Sequence, residues 1–362
     1  QDRYAITVYF IAFIILLSFI ITIYKPKYVL GITLIALVLS SVNFLPHWLN
    51  WNFTGYDQKD DWSDITNLYS GLNQLEPGRI MWEPNSDLNK YGTPMVLMTI
   101  PMFTNHESIE GLYFDSSITT PFHFVTVSGV AESPSNPVGG LSYINGDFDR
   151  GVRYMKELGV DYFISYTDSI TDKAIMSDEL ENLFQSSPFT VFKINSDKVQ
   201  VVDTELVNFS QPELFERISN SIFRQDKTDS FFNLAMKEFK LDNKKRIIEG
   251  IDAEESQIQN RLSNKKSEIK NVRITNNKIT FETEHPNELH IVKVSYFPNW
   301  KIENGSGPYR LSPSFMGVIP NSNEVSMTFE NTSLEKSLNI VSLIIFLLTV
   351  YLLVFRIKKY AK

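Results

Sequence analysis

Three residues close together in the first half of the chain carry side chains that could bind a sugar or a phosphate. Arg79, Trp82 and Glu83 lie in the segment Gly78-Arg-Ile-Met-Trp-Glu83. An arginine fork grips a phosphate or carboxylate with paired hydrogen bonds, a tryptophan offers a flat face to a sugar ring, and a glutamate accepts hydrogens from hydroxyl groups. We therefore predict that this segment lines a groove for a donor or an acceptor. The alternative is an internal Arg79–Glu83 ion pair beside a core tryptophan.

Tyr113, His123 and Trp300 complete the set of candidate substrate-binding residues. Tyr113 and His123 fall in a predicted loop and strand between two lobes, and Trp300 follows Pro298-Asn299 at the end of a predicted strand. Trp300 could stack on a glycan, but a tryptophan in the core of a small β-module is the commoner arrangement. The sequence identifies no catalytic residue.

No metal or cofactor site is recognisable in the sequence. The chain has no cysteine, which excludes disulfides and thiolate ligands. His285 and His290 lie beside Glu284 and Glu288, but a solvated polar turn fits this segment better than a metal site. Phosphate-binding glycine loops and the nucleophile elbow of hydrolases are absent from the sequence as well. We predict no metal ligands and no bound cofactor.

Apolar residues are concentrated at the two ends of the chain. An uncharged segment runs from Tyr4 to Tyr24, and a second runs from Tyr28 to about Leu45 after the basic turn at 25–27. Each is close to the roughly 20 residues that a helix needs to cross a bilayer. We predict that residues 1–51 form a transmembrane helical hairpin.

A third apolar segment closes the chain. It runs from Leu338 to Phe355, and Thr332 with Glu335 fits a helix capping box just before it. Under the positive-inside rule, the basic clusters at 25–27 and 356–362 face the cytoplasm. Three spans put both clusters on one side, which predicts a multi-pass protein of the cytoplasmic membrane with residues 52–335 outside it and a cytoplasmic C-terminal tail.

The charge of the chain limits its partners. The net charge is −8, and the acidic residues are concentrated between the apolar ends. This balance argues against nucleic-acid binding and against a cytosolic enzyme. The predicted partner is the lipid bilayer.

The region between the apolar ends indicates mixed α/β structure. In residues 52–204, predicted to be an α/β lobe, Phe148, Val152 and Met155 have the spacing of one helix face, and Gly159 can end that helix. We also predict a helix over 177–185 and a hairpin that turns at 195–197.

The remaining segments complete the predicted organisation. Residues 205–268 are predicted to be a helical connector, 269–331 a β-rich module with a hairpin turn at Asn276-Asn277, and 332–362 a transmembrane helix with a basic tail. The predicted fold class is a membrane protein with three visible transmembrane helices and a large α+β or α/β extracytoplasmic region that ends in a small β-sandwich-like module.

Several short stretches occur in an order shared with one group of membrane proteins. They are Gly78-Arg-Ile-Met-Trp-Glu83, Gly111-Leu-Tyr-Phe-Asp-Ser-Ser117, Gly151-Val-Arg-Tyr-Met-Lys-Glu-Leu-Gly-Val-Asp-Tyr-Phe163, Val294-Ser-Tyr-Phe-Pro-Asn-Trp300 and Phe315-Met-Gly-Val-Ile-Pro320. Over most of residues 75–355 the chain resembles polytopic membrane proteins of the GT-C glycosyltransferase type. It looks most like the 6-pyruvoyl-tetrahydropterin synthase-related and YfhO-like membrane proteins.

The resemblance implies a function for the whole protein. Such proteins transfer a sugar from a polyprenyl-phosphate donor to a glycan acceptor outside the cytoplasmic membrane, and a divalent cation could serve the full-length enzyme. Their catalytic acid lies in the first extracytoplasmic loop, so this chain is expected to be a C-terminal portion that lacks the catalytic loop and is inactive alone. The alternative is a non-enzymatic, membrane-anchored extracytoplasmic domain for envelope structure or partner binding.

Overall fold

The structure is a computed structural model. It describes residues 13–16, 18–22, 26–29, 31, 34–35, 45–59, 61–111, 119–137, 141–209, 245–249 and 269–360. The chain divides into two compact units: unit 1 comprises residues 1–65 and 86–96, and unit 2 comprises residues 66–85 and 97–362.

The described helices and strands are named here in chain order. The helices are α1 (Leu45–Phe53), α2 (Trp62–Leu72), α3 (Ile100–Phe103), α4 (Thr120–Val130), α5 (Phe148–Glu157), α6 (Asp168–Met176) and α7 (Ser333–Tyr360). The strands are β1 (Arg79–Trp82), β2 (Glu107–Ser108), β3 (Tyr162–Ser165), β4 (Leu180–Ser186), β5 (Phe189–Ile194), β6 (Val199–Val201), β7 (Glu205–Phe209), β8 (Lys245–Glu249), β9 (Lys270–Ile274), β10 (Lys278–Glu282), β11 (His290–Ser295), β12 (Trp300–Ile302), β13 (Gly305–Leu311), β14 (Phe315–Pro320) and β15 (Glu324–Phe329).

Unit 1 contains α1 and short 3-10 turns. The Tyr91 hydroxyl donates to Asp64 Oδ2 at 2.8 Å, and Lys59 Nζ lies 4.0 Å from the centre of the Trp51 ring. These polar and cation–π contacts connect segments whose large side chains are mostly exposed. Leu88 and Tyr91 of this unit are buried.

The first sheet of unit 2 has five strands in the order β2-β1-β3-β5-β4. Strand β1 is parallel to both β2 and β3, whereas β5 is antiparallel to β3 and to β4. Helix α5 follows the predicted spacing: Phe148, Val152 and Met155 are buried, and Gly159 has φ +68° just after the helix. The predicted helix and its glycine end are confirmed.

The other two sheets pack face to face. A six-stranded sheet has the order β6-β11-β14-β13-β8-β7, and a four-stranded sheet has the order β12-β15-β10-β9. Val292 and Met316 of the first pack with Phe281, Trp300 and Met327 of the second in one apolar core. Alternate residues of the six-stranded sheet belong to a second core that includes α5 and the five-stranded sheet. The six-stranded sheet is therefore buried on both faces, as a continuous apolar strand such as β14 requires.

One end of these packed sheets lies next to the start of α7, and we call it the α7 end. Trp300 pairs with Phe329 there, and Ser295 pairs with Phe315 in the neighbouring sheet. The hairpin turn between β9 and β10 lies at the same end, because Phe329 N–H donates to Asn277 O. The predicted hairpin at Asn276-Asn277 is confirmed by the antiparallel pairing of β9 with β10.

The prediction of a membrane protein with three transmembrane helices is wrong for this structure. Among the described residues, one helix is long and apolar enough to cross a membrane, over Ser333–Leu352 of α7. The described residues within the two predicted N-terminal spans are helical, and the other residues of these spans lie outside the described part of the chain. A span needs a helix of about 20 residues, and among the described residues only α7 reaches this length with apolar side chains. The structure shows one candidate apolar helix and three β-sheets with mixed α/β content.

Three further predictions differ from the structure. Residues 177–185, predicted as a helix, form most of β4, and β5 returns beside it; the segment after 195–197 pairs with β11 rather than with β5. The described residues of the predicted helical connector, 205–209 and 245–249, form the parallel strands β7 and β8. In β8, Arg246 and Ile248 are both buried, and burial of every second residue is the pattern of a strand. The spacing of the isoleucines in this segment is also compatible with a helix, which is why the sequence predicted one.

Helices α4 and α5 cross closely through two glycines. A Cβ added at Gly151 would lie 2.5 Å from Val130 Cγ1 and 3.2 Å from the carbonyl carbon of Gly129. The crossing therefore depends on the missing side chain, since overpacking a buried contact forces backbone shifts.

We expect Gly151→Ala to lower the free energy of unfolding by roughly 1–3 kcal/mol, because the two helices must move apart. Urea unfolding followed by circular dichroism measures the effect. Gly111→Ala is the matched control, because nothing lies within 4 Å of a Cβ added there. Equal stability of the two variants would contradict the close crossing.

Candidate functional site

The predicted site residue Glu83 is a buried structural carboxylate. It follows β1 and is fully buried. Its Oε2 accepts hydrogen bonds from the backbone N–H groups of Tyr166 and Thr167, both at 2.9 Å, and its Oε1 accepts from the Thr167 hydroxyl at 2.8 Å and the Glu132 N–H at 3.3 Å. These bonds connect β1 to the turn before α6, and they use the acceptor capacity that a sugar would need.

The two candidate tryptophans are also interior. Trp82 is 2% exposed and Trp300 is 5% exposed. Trp300 belongs to the core between the two packed sheets, which is the commoner arrangement that the sequence left open. Tyr113 lies outside the described residues.

Arg79 differs from its neighbours because it reaches a cleft. Its Nη1 donates to Leu158 O and to Lys293 O, both at 2.8 Å, and its Nη2 lies 3.5 Å from Glu107 Oε2. The arginine thus fastens the end of α5 to β11. It pairs with Glu107 rather than with Glu83, so the predicted internal Arg79–Glu83 pair is not what the structure shows.

The cleft has a volume of about 630 Å³, within the range of ordinary ligand sites. Its wall combines the start of β1, strand β2, the N-terminal turn of α4 and the α7 end of β11. Apolar side chains such as Met98, Ile109 and Phe315 share the wall with hydroxyl and charged groups. The polar side chains of the wall are Arg79, Glu107, Ser108, Glu110, Thr119, Thr120, His123, Asn276, Lys293 and Ser295.

His123 is the most unusual polar group in this wall. It is 3% exposed, and neither ring nitrogen makes a hydrogen bond with any part of the chain that the structure describes. Its Nε2 lies 3.2 Å from Glu110 Oε2, without hydrogen-bond geometry. A buried polar group without hydrogen bonds is costly. A ligand in the cleft could supply the missing partners.

Lys293 is a second basic residue of the cleft wall. It is 3% exposed, and its Nζ donates to Lys156 O at 2.8 Å. Burial lowers the pKa of Lys293 from its ordinary 10.5 to about 8, against the opposing attraction of Glu157. The ammonium is therefore still mostly protonated at neutral pH.

The structure brings together two of the six predicted site residues, Arg79 and His123, in one wall. Sequence reasoning missed Glu110 and Lys293, although both lie within or next to stretches on which the family resemblance was based. No spacing rule connects residues so far apart in the chain. The signal that does identify them is a buried histidine that makes no hydrogen bond with the described residues, and only the three-dimensional structure reveals it.

The described residues contain no group of three or more histidine, aspartate or glutamate side chains that could hold a metal ion. Comparisons with protein-family models, with curated proteins and with solved structures found no match to this chain. The cleft must therefore be interpreted from its own chemistry.

We expect Glu83→Ala to destabilise the fold by roughly 3–5 kcal/mol, because it leaves several buried donors without their acceptor. Thermal unfolding measures the loss, and Glu107→Ala, whose side chain is 47% exposed, is the control that should change little. If Glu83→Ala unfolds at the wild-type temperature, Glu83 does not fasten β1 to α6.

The lowered pKa of Lys293 predicts a pH dependence of stability. Between about 8 and 10.5 the unfolded chain binds the lysine proton and the folded chain does not, so the free energy of unfolding should rise with pH by up to about 1.4 kcal/mol per unit. Below pH 8 both the folded and the unfolded chain bind the proton, so this gain in the free energy of unfolding is lost. Lys293→Met should abolish the rise while Lys156 O keeps its hydrogen bond from Gly159 N–H.

Chemical denaturation at several pH values measures this slope. The series should stop near pH 10, because burial raises the pKa values of Tyr69 and Tyr162 above 10.0 and their ionisation acts in the opposite direction. The same slope in wild type and Lys293→Met would contradict the assignment.

Proposed function

We propose that the chain is a membrane-anchored domain that binds a hydroxyl-rich ligand of the saccharide class in the cleft beside His123. The observation that carries this proposal is the buried His123, whose ring makes no hydrogen bond with the residues that the structure describes, in the wall of a cleft of ligand size. Natural folds satisfy most buried polar groups, so the ring of His123 is a suitable place for a hydrogen bond from a ligand in the cleft.

The chemistry of the wall favours a saccharide. The carboxylates of Glu107 and Glu110 accept hydrogens from hydroxyl groups, whereas Arg79 donates them. Apolar side chains of the same wall suit the C–H faces of a sugar ring. Because cations and carboxylates occur together, the cleft lacks the single sign of charge that a polyanion would favour.

The C-terminal helix supports the membrane anchor. The apolar side chains of α7 from Leu334 to Leu352 are exposed, as a helix in lipid requires. Arg356, Lys358 and Lys359 follow them, so the positive-inside rule favours a cytoplasmic tail and a domain on the opposite side. The cleft includes Asn276, Ser295 and Phe315, which lie at the α7 end, so the ligand would be bound near the bilayer.

This proposal corresponds to the binding-module alternative from the sequence. Transfer of a sugar from a polyprenyl-phosphate donor stays a prediction from the family resemblance, and the comparisons give it no support. A lipid-linked saccharide would suit both a binding domain and a transferase, since its sugar lies at the membrane surface.

Saccharide binding tests the proposed function. We expect saturation-transfer NMR of the full chain in detergent micelles to detect at least one member of a panel of methyl hexosides and N-acetylhexosaminides. Glu110→Gln should weaken that binding about tenfold or more, because a hydrogen bond to a charged acceptor is lost.

Glu303→Gln is the matched control for this experiment. Glu303 is exposed and follows β12 at its end away from α7, so this variant should bind like the wild type. Failure of every panel member to bind, or equal binding by Glu110→Gln, would overturn the proposal.

A further inference from the structure

Two exposed phenylalanines form a ridge at the α7 end. Phe297 is 50% exposed and Phe329 is 39% exposed, and their ring centres are 6.1 Å apart. Trp300 supports Phe329 from the interior with an edge-on contact at 5.4 Å. Phe297 and Phe329 are the pair that we call the phenylalanine ridge. Paired apolar rings that remain in water at one place are a sign of a contact surface.

The ridge is fixed to the start of α7 by hydrogen bonds. Asn299 donates from Nδ2 to Glu335 Oε2 at 2.7 Å and to Glu330 O at 3.1 Å, and the Glu330 N–H donates to Asn299 O at 2.9 Å. Glu335 also accepts from the N–H and the hydroxyl of Thr332, at 2.7 and 2.8 Å. This confirms the predicted capping box and connects it to the loop that carries Phe297.

Charged groups border the ridge in the way that a membrane interface requires. Lys301 Nζ lies 3.3 Å from Glu330 Oε2 and Lys336 Nζ lies 4.0 Å from the same atom. Long lysine side chains place their ammonium groups among lipid headgroups while apolar neighbours enter the acyl boundary. Leu334 is already 69% exposed one residue into the helix, so the apolar surface of α7 begins beside the ridge.

We infer that the phenylalanine ridge inserts into the headgroup–acyl boundary of a lipid bilayer and holds the two packed sheets with their cleft end toward the membrane. The inference rests on the proposed membrane anchor, because α7 brings the ridge to the bilayer. The proposed partner of the ridge is lipid, because the ridge is continuous with the exposed apolar face of α7. The cleft then opens close to the height of the headgroups.

Depth measurements in vesicles test the inference. The chain has no cysteine, so single cysteines can carry a nitroxide label without background. The full chain is reconstituted in vesicles of phosphatidylcholine with phosphatidylglycerol, and accessibility to oxygen and to a water-soluble nickel chelate is measured for each label. Pro298→Cys places the label beside the ridge and keeps both rings, Leu343→Cys labels α7, and Asn321→Cys labels an exposed turn at the opposite end of the sheets.

The expected pattern is lipid-type accessibility at 343, an intermediate value at 298 and water-type accessibility at 321. Adding Phe297→Ser to Pro298→Cys should shift position 298 to the value found at 321, because the serine removes the inserted ring. Phe297 is half exposed, so this change leaves the core intact, and circular dichroism checks the fold.

Two results would overturn the inference, and they are distinguishable. A lipid-type label at 343 with a water-type label at 298 shows that α7 is an anchor but that the ridge stays in water or contacts a protein. A water-type label at 343 removes the membrane anchor itself and, with it, the reason for placing the ridge in lipid.

Discussion

Two apolar cores pack against opposite faces of the six-stranded sheet, and the arrangement of unit 2 depends on the burial of both faces. Phe315 and Ile319 of β14 belong to the core shared with α5, whereas Met316 and Val318 belong to the core shared with the four-stranded sheet. A strand that is buried on both faces has no exposed side on which a polar residue is tolerated. The sheet therefore positions the α/β lobe on one side and the four-stranded sheet on the other.

The cleft lies at the edge of this arrangement, where the α/β lobe joins the six-stranded sheet. Backbone groups at the edge of a lobe need partners, because buried carbonyls and N–H groups are costly when unpaired. Arg79 supplies donors to Leu158 O and Lys293 O, and Lys198 pairs with Asp161 at 3.0 Å. These polar groups join the lobe to the sheet where apolar packing ends. The cleft lies beside this joint, so its charged side chains are held by the same bonds that hold the fold.

Local patterns were predictable from the sequence, whereas pairings between distant segments were not. The face of α5, the β9–β10 hairpin and the capping box at Thr332 depend on residues within one or two turns. The strand β4 is different: its residues suit a helix, and pairing with β5 decides its conformation. Glu83 illustrates the same limit at the site, since a carboxylate suited to sugar binding is consumed by N–H groups that the sequence places far away. His123 and Glu110 meet because the fold brings α4, which carries His123, to the segment that follows β2.

The cleft and the phenylalanine ridge both lie at the α7 end, so the proposed anchor would hold both of them near the bilayer. Asn299 bonds to the first turn of α7 and lies in the loop between β11 and β12, so the direction in which α7 leaves is set by the sheets. Ser295, at the end of β11, lines the cleft only a few residues earlier. A ligand that diffuses freely in water gains nothing from this placement. A saccharide carried by a lipid would meet the cleft at a height fixed by the anchor, because its inserted lipid tail would keep the sugar at the headgroups. The short bonded segment between Ser295 and α7 would keep the cleft at the same height.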